Sequence, residues 1–220
     1  MQPTIEGLPR NKVEVLPSQL HGTVTNEKYK LVRVGVDGEG SCFFHSVCYL
    51  TNPEYCNWSL AKQKECGESL RKSIAEELSG EAGEAKWADF AETPIAQRLI
   101  KRDSKAKSLK NVIGWFKKPS VWANEIMIAY VSWKLDVDIV FIDAVNTRVY
   151  CDTLPENKDA RKTIIVIWVE QEHFEPVAIL KSHSGDSVRL LTMLTDPAMI
   201  SEVRKTYKEQ CPKAKLKGLR

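Results

Sequence analysis

Residues 163–169, TIIVIWV, run for seven positions without a charged side chain. A strand with one wet face alternates polar and apolar positions. A run without alternation reads as a strand buried on both faces, so this chain needs a sheet with material on each side. Residues 137–142 (VDIVFI), 148–151, 173–180 and 188–194 read as further strands, and so does 31–36 near the other end. Between 36 and Asp136 the pattern is helical. Residues 43–50 put Phe43, Phe44, Val47 and Leu50 on one side. Residues 58–78 carry Leu60, Leu70, Ile74 and Leu78 and stop at Ser79-Gly80. Residues 81–117 are mostly helical or irregular, and Pro119-Ser120 opens a helix over 121–135. Helices in the first two thirds and strands in the last third predict an α+β fold, with helices packed around one sheet.

With 220 residues, 43% of them hydrophobic and 28% charged, the chain fits one compact domain with a real core. The expected organisation is a leader of turns and short extended pieces over 1–30, a main domain over 31–196, and a C-terminal helix with a basic tail over 197–220. No apolar run approaches the ~20 residues of a membrane span. The first residues lack the charged-then-apolar layout of a secretory signal. A cytoplasmic protein is the expectation, with no membrane partner.

The six cysteines, Cys42, Cys48, Cys56, Cys66, Cys151 and Cys211, form no C-x-x-C pair. Zinc ribbons and fingers need such close pairs, so no metal is expected, and reduced thiols are expected in place of a disulfide set. Of the 32 basic residues seven fall in 201–220, with two of the 29 acidic ones, leaving a body of 25 basic against 27 acidic. The basic tail reads as a solvated end. The lysines at 101, 105, 107 and 110 stand beside Asp103 without interleaved aromatics, so they read as a solvated face and not as a nucleic-acid surface.

The chemistry concentrates in VGVDGEGSCFFHSVCYL, residues 34–50. A strand enters the turn Asp37-Gly38-Glu39-Gly40-Ser41, and Cys42 follows at the mouth of an apolar helix. A helix N-terminus favours the thiolate, and glycines in the turn free N–H groups to face an oxyanion. The turn lacks the Gly-Lys-Ser/Thr ending of a phosphate loop and the spacing of a dinucleotide fingerprint, so no cofactor is expected. Among four histidines, His21 lies in the leader, His45 points along the cysteine's own helix, and His183 sits in a Ser/Gly turn. His173 opens a strand after a polar turn, where its ring can face a cleft. Glu175 shares its strand face. Glu175 and Asp37 are the two candidates to orient the imidazole.

Residues 37–46, DGEGSCFFHS, resemble the cysteine box of the ovarian-tumour (OTU) family of deubiquitinating cysteine proteases. His173-Phe174-Glu175 resembles its histidine box. Trp122-Ala123-Asn124-Glu125, followed by an apolar helix and the strand at 139–142, resembles its Trp-x-x-Glu segment. The three boxes stand in family order and span about two thirds of the chain. The cysteine box is worded most like OTU domains encoded by viruses.

The resemblance implies a papain-like fold with a central, mainly antiparallel sheet packed between helices. It implies a thiol hydrolase that cuts the isopeptide bond after the C-terminal glycine of ubiquitin, in polyubiquitin chains or other ubiquitin-like conjugates. Cys42 becomes the nucleophile and His173 the base and acid. Glu175 or Asp37 is the orienting carboxylate. The backbone of Glu39, Gly40 and Ser41, with Cys42, lines the oxyanion hole, and Trp122 packs near the histidine strand. Two positions depart from the family pattern. Glu39 stands where the box usually has aspartate, with Asp37 two residues earlier, and Glu175 replaces a shorter Asn or Asp. These departures motivate the alternative, a catalytically silent ubiquitin-binding module.

Overall fold

The computed structural model describes residues 5–17, 29–144, 148–150, 162–170, 172–182 and 188–191. The basic tail, His21, His183, Cys151, Cys211 and the boundary expected after 196 lie outside the described residues. Seven strands form one sheet: β1 (Val13–Val15), β2 (Tyr29–Val34), β3 (Val137–Asp143), β4 (Arg148–Tyr150), β5 (Lys162–Val169), β6 (His173–Ser182) and β7 (Val188–Leu191). The order is β1-β2-β6-β5-β3-β4, with β7 also on β6. Every pair is antiparallel except β3 with β5. β1 falls inside the stretch read as a leader and makes it part of the sheet.

Six helices lie between β2 and β3: α1 (Cys42–Thr51), α2 (Leu60–Ser79), α3 (Gly83–Ala91), α4 (Pro94–Arg102), α5 (Leu109–Lys117) and α6 (Glu125–Leu135). Local chemistry sets their starts. Ser59 caps α2 by accepting from the Lys62 N–H, and Thr93 caps α4 with Pro94 at the first turn. The helix expected from 121 begins at Glu125 because Asn124 takes the cap, its side chain accepting from the Met127 N–H at 3.0 Å. Residues 121–123 therefore stay outside the helix, beside the cysteine loop. The basic residues Lys105 and Lys107 ride a 3-10 turn, Ser104–Lys107, between α4 and α5.

The helices build one core with alternate residues of the sheet: Val32 and Val34, Val137 and Ile139, Ile164 and Val166, Phe174 and Ala178. All of α1 from Cys42 to Leu50 is buried. Each large apolar side chain so enclosed contributes about 1.5–3 kcal/mol. α1 and α2 cross where His45 lies on Gly67; a methyl group there would come within 2.3 Å of the His45 Nδ1. The other face of the sheet is buried as well, through Leu31, Ile165, Ile167, Val177 and Ile179. That fulfils the requirement set by the run 163–169. Among the described residues no helix is long and apolar enough to cross a membrane.

β6 changes neighbours along its length, and this positions the site. Its first half, His173 to Val177, pairs with β5; β2 flanks it only from Val177 onward, ending at the Arg33–Val177 partnership. Beyond that point α1 takes β2's place. The Ser46 hydroxyl donates to the Phe174 carbonyl at 3.1 Å, and the Phe174 N–H donates to Cys42 Sγ at 3.4 Å.

Candidate active site

Cys42 is the first residue of α1 and only 3% exposed. The Phe174 N–H donates to its sulfur at 3.4 Å, and the backbone amides of Phe43 and Cys42 itself also favour the anion. The loop before it is held tightly. Gly40 adopts φ +72°, and a methyl there would lie 2.0 Å from the Pro119 carbonyl oxygen, so only glycine fits. Of the residues read as oxyanion donors, Gly40 has its own N–H engaged by the Gly38 carbonyl. The remaining N–H groups of that loop are those of Glu39, Ser41 and Cys42. The Glu39 side chain points away, paired with Lys64 at 2.8 Å on the surface.

His173 starts β6, with its ring between two glycines. A methyl at Gly38 would lie 3.8 Å from Nδ1, and one at Gly7 would lie 3.3 Å from Cδ2. The Nδ1 edge thus faces the cysteine loop, while Nε2 lies 3.9 Å from Glu175 Oε1. That separation is too long for a hydrogen bond, so the carboxylate acts on the ring through its charge. Glu175 is fully buried. It accepts from the Leu8 N–H, and Arg33 Nη1 donates to its other oxygen at 3.3 Å. Asp37, the rival orienter, is in an ion pair with Arg10.

The electrostatics differ from the expected thiolate. Burial pushes the Cys42 thiol above its ordinary range, against the three N–H groups and the charge of Arg71. Burial also lowers the His173 imidazole. Both shifts favour a neutral thiol beside a neutral imidazole in the resting state. Here desolvation outweighs the helix N-terminus. His45, lowered mainly by burial as well, packs on α2. Burial raises Glu175 too, opposed by the Leu8 N–H and by Arg33.

Trp122 is 46% exposed. It follows Val121, whose carbonyl accepts from Arg71, and so stands on the rim beside the cysteine loop.

Sequence reasoning missed three supports. Arg33 is the charge in the otherwise apolar run 31–36, and its guanidinium joins Glu175, the Glu14 carboxylate and the Glu6 carbonyl. Arg71 lies on the buried stripe of α2 with Gly67, Ile74 and Leu78. Residues 5–12 form a strap across the histidine side. Along it the Gly7 N–H donates to Glu170 at 3.2 Å, the Leu8 N–H to Glu175, and the Asn11 N–H to the Gly35 carbonyl at 2.8 Å. A charge on a buried stripe was the signal for both arginines.

Cys42, Cys48, Cys56 and Cys66 are free thiols. No family model matches this chain, and no curated protein matches it. Solved structures do. A viral OTU domain from Dera Ghazi Khan virus is 16% identical, with 70% of this chain and 90% of that one covered and a TM-score of 0.41. The Hazara virus OTU bound to ubiquitin is 16% identical, covering 71% of this chain and 93% of that one, with a TM-score of 0.42. The chain is similar, too, to an OTU domain solved in complex with ubiquitin, at 15% identity over 83% of this chain and 90% of that one, with a TM-score of 0.45.

Proposed function

We propose that the protein is an OTU-type cysteine hydrolase that cleaves the isopeptide bond after the C-terminal glycine of ubiquitin or a ubiquitin-like modifier. The observation that carries this reading is the contact between Cys42 Sγ and the N–H of Phe174, at 3.4 Å. It sets the sulfur at a helix N-terminus against the residue next to His173. The ordered cysteine and histidine boxes supply the substrate class.

Cys42 attacks the glycine carbonyl carbon as His173 accepts the thiol proton. The C–S bond forms, and the carbonyl electron pair moves to oxygen, facing the N–H groups of Cys42, Glu39 and Ser41. Collapse breaks the C–N bond, and His173 gives its proton to the departing lysine amine. Water then attacks the thioester while His173 takes its proton. The acid is released, and the sulfur recovers the proton. Glu175 stabilises the imidazolium formed at each stage through its charge. A neutral starting pair fits this sequence, since the proton moves as the carbon is attacked.

Ubiquitin carrying a C-terminal thiol-reactive warhead tests the assignment, with the adduct located by mass spectrometry. Modification of Cys42 is expected. Tight binding without modification would identify a silent binding module. In di-ubiquitin cleavage, Cys42→Ala is expected to lose at least about a thousandfold. His173→Ala should lose about 10²–10⁴-fold, far more than His45→Ala. Equal losses at the two histidines would show that the wrong base was chosen.

A further inference from the structure

Arg71 is a buried guanidinium, 2% exposed, halfway along α2. Its Nε donates to the Phe116 carbonyl at 2.9 Å, and Nη1 donates to Gly40 at 2.9 Å and Pro119 at 3.4 Å. Its Nη2 donates to Trp115 at 2.7 Å, Val121 at 2.6 Å and Lys118. The guanidinium carbon also lies 5.2 Å from the centre of the Phe44 ring. Every one of these partners is neutral. A buried guanidinium ordinarily faces a carboxylate, because an uncompensated charge in the interior is costly. Among the described residues no carboxylate pairs with Arg71.

We propose that Arg71 is a positioning residue for Cys42: it locks the Gly40 carbonyl so that the cysteine loop presents its N–H groups, and its uncompensated charge is held for the sulfur anion that forms in the reaction. The proposal rests on the reading of Cys42 as nucleophile. Two observations meet in it. Gly40 is two residues from Cys42, and its left-handed backbone is pressed on Pro119, another acceptor of the same guanidinium. The charge of Arg71 acts on the Cys42 thiol in the direction that favours the anion. The six carbonyls orient the guanidinium but do not neutralise it. A sulfur anion formed at Cys42 during turnover is thus met by a guanidinium charge that no carboxylate has already neutralised.

The test compares wild type, Arg71→Lys and Arg71→Gln, each checked for folding by thermal melting. The readout is the pH dependence of Cys42 alkylation by iodoacetamide, followed by mass spectrometry of the Cys42 peptide. It uses no ubiquitin, so it stands apart from the substrate assignment. Arg71→Gln keeps N–H donors and loses the charge. Its profile is expected to move to higher pH, with alkylation about tenfold slower at pH 8, a factor equivalent to one pKa unit. Arg71→Lys keeps the charge and should stay within about twofold of wild type in alkylation, the span of a minor local rearrangement. Its di-ubiquitin cleavage should fall through kcat with KM unchanged, because lysine cannot hold the carbonyls that shape the loop. A wild-type alkylation profile in Arg71→Gln, or equal slowing in both variants, overturns the proposal. If Arg71→Gln does not fold, Arg71→Lys decides alone, and a profile displaced to higher pH there overturns it. If wild type leaves di-ubiquitin intact while the alkylation profiles separate as expected, the substrate assignment falls and the role of Arg71 stands.

Discussion

Two buried arginines brace the two halves of the site by different means. On the histidine side Arg33 is matched with carboxylates, Glu175 at 3.3 Å and Glu14 at 2.7 Å. On the cysteine side Arg71 is matched only with carbonyls, among them that of Gly40 in the loop before Cys42. The first arrangement neutralises its charge at rest. The second leaves a charge in reserve. Burial brings Arg71 down to about 10, so it remains a cation throughout the physiological range. The difference follows the chemistry of the partners: an imidazole that becomes positive needs a carboxylate nearby, and a sulfur that becomes negative needs a cation.

Removing Glu175 attacks the histidine half most directly. Glu175→Ala strands Arg33 with one carboxylate and should cost about 3 kcal/mol in urea unfolding, the scale for breaking a buried pair. A loss below about 1 kcal/mol would mean that Glu14 and the Glu6 carbonyl satisfy Arg33 alone. Gly40→Ala attacks the cysteine half. The left-handed backbone and the Pro119 carbonyl should together cost about 1–3 kcal/mol. Displacing the loop by even 1 Å should slow cleavage about a hundredfold. Stability near that of wild type with intact cleavage would refute the tight placement of the loop.

Acid should sharpen the contrast. His45 and His173 are both lowered by burial, so the unfolded chain binds protons more readily than the folded one. The stability they contribute is complete above the ordinary imidazole range and is lost as pH falls through it. Glu175, raised by burial, acts in the opposite sense at lower pH, because its folded carboxyl takes up a proton first. Arg71 contributes nothing in that window. Urea midpoints should fall between pH 7.5 and 5.5, less steeply in His45→Gln; a flat profile would remove the buried neutral histidines. Lys64→Met, which breaks only the exposed pair with Glu39, should change neither stability nor cleavage.

The helix and strand pattern was readable because long apolar faces declare their period. α2 and the strands around residues 137–143 and 162–169 stand within one or two residues of their expected bounds. The positions of Cys42 at a helix mouth and of His173 at a strand start were readable because both depend on local context, a glycine turn and a polar turn. The start of α6 was misplaced because Pro119 resembles a first-turn residue while Asn124 holds the better cap. The shifts at Cys42 and His173 were not readable for a different reason: helix position is local, but the burial that opposes it comes from a core assembled from residues far away in sequence. β1, three residues long, is too short to display an alternation.

Leu8 reaches Glu175 through its amide, and Arg71 reaches residues 115–121 through their carbonyls. Bonds of this kind make no demand on side-chain identity. Exchanging the side chains of the strap and of residues 115–121 one at a time would therefore leave these backbone bonds undetected. Proline in place of Leu8, which deletes the amide hydrogen itself, is the change that would expose the dependence.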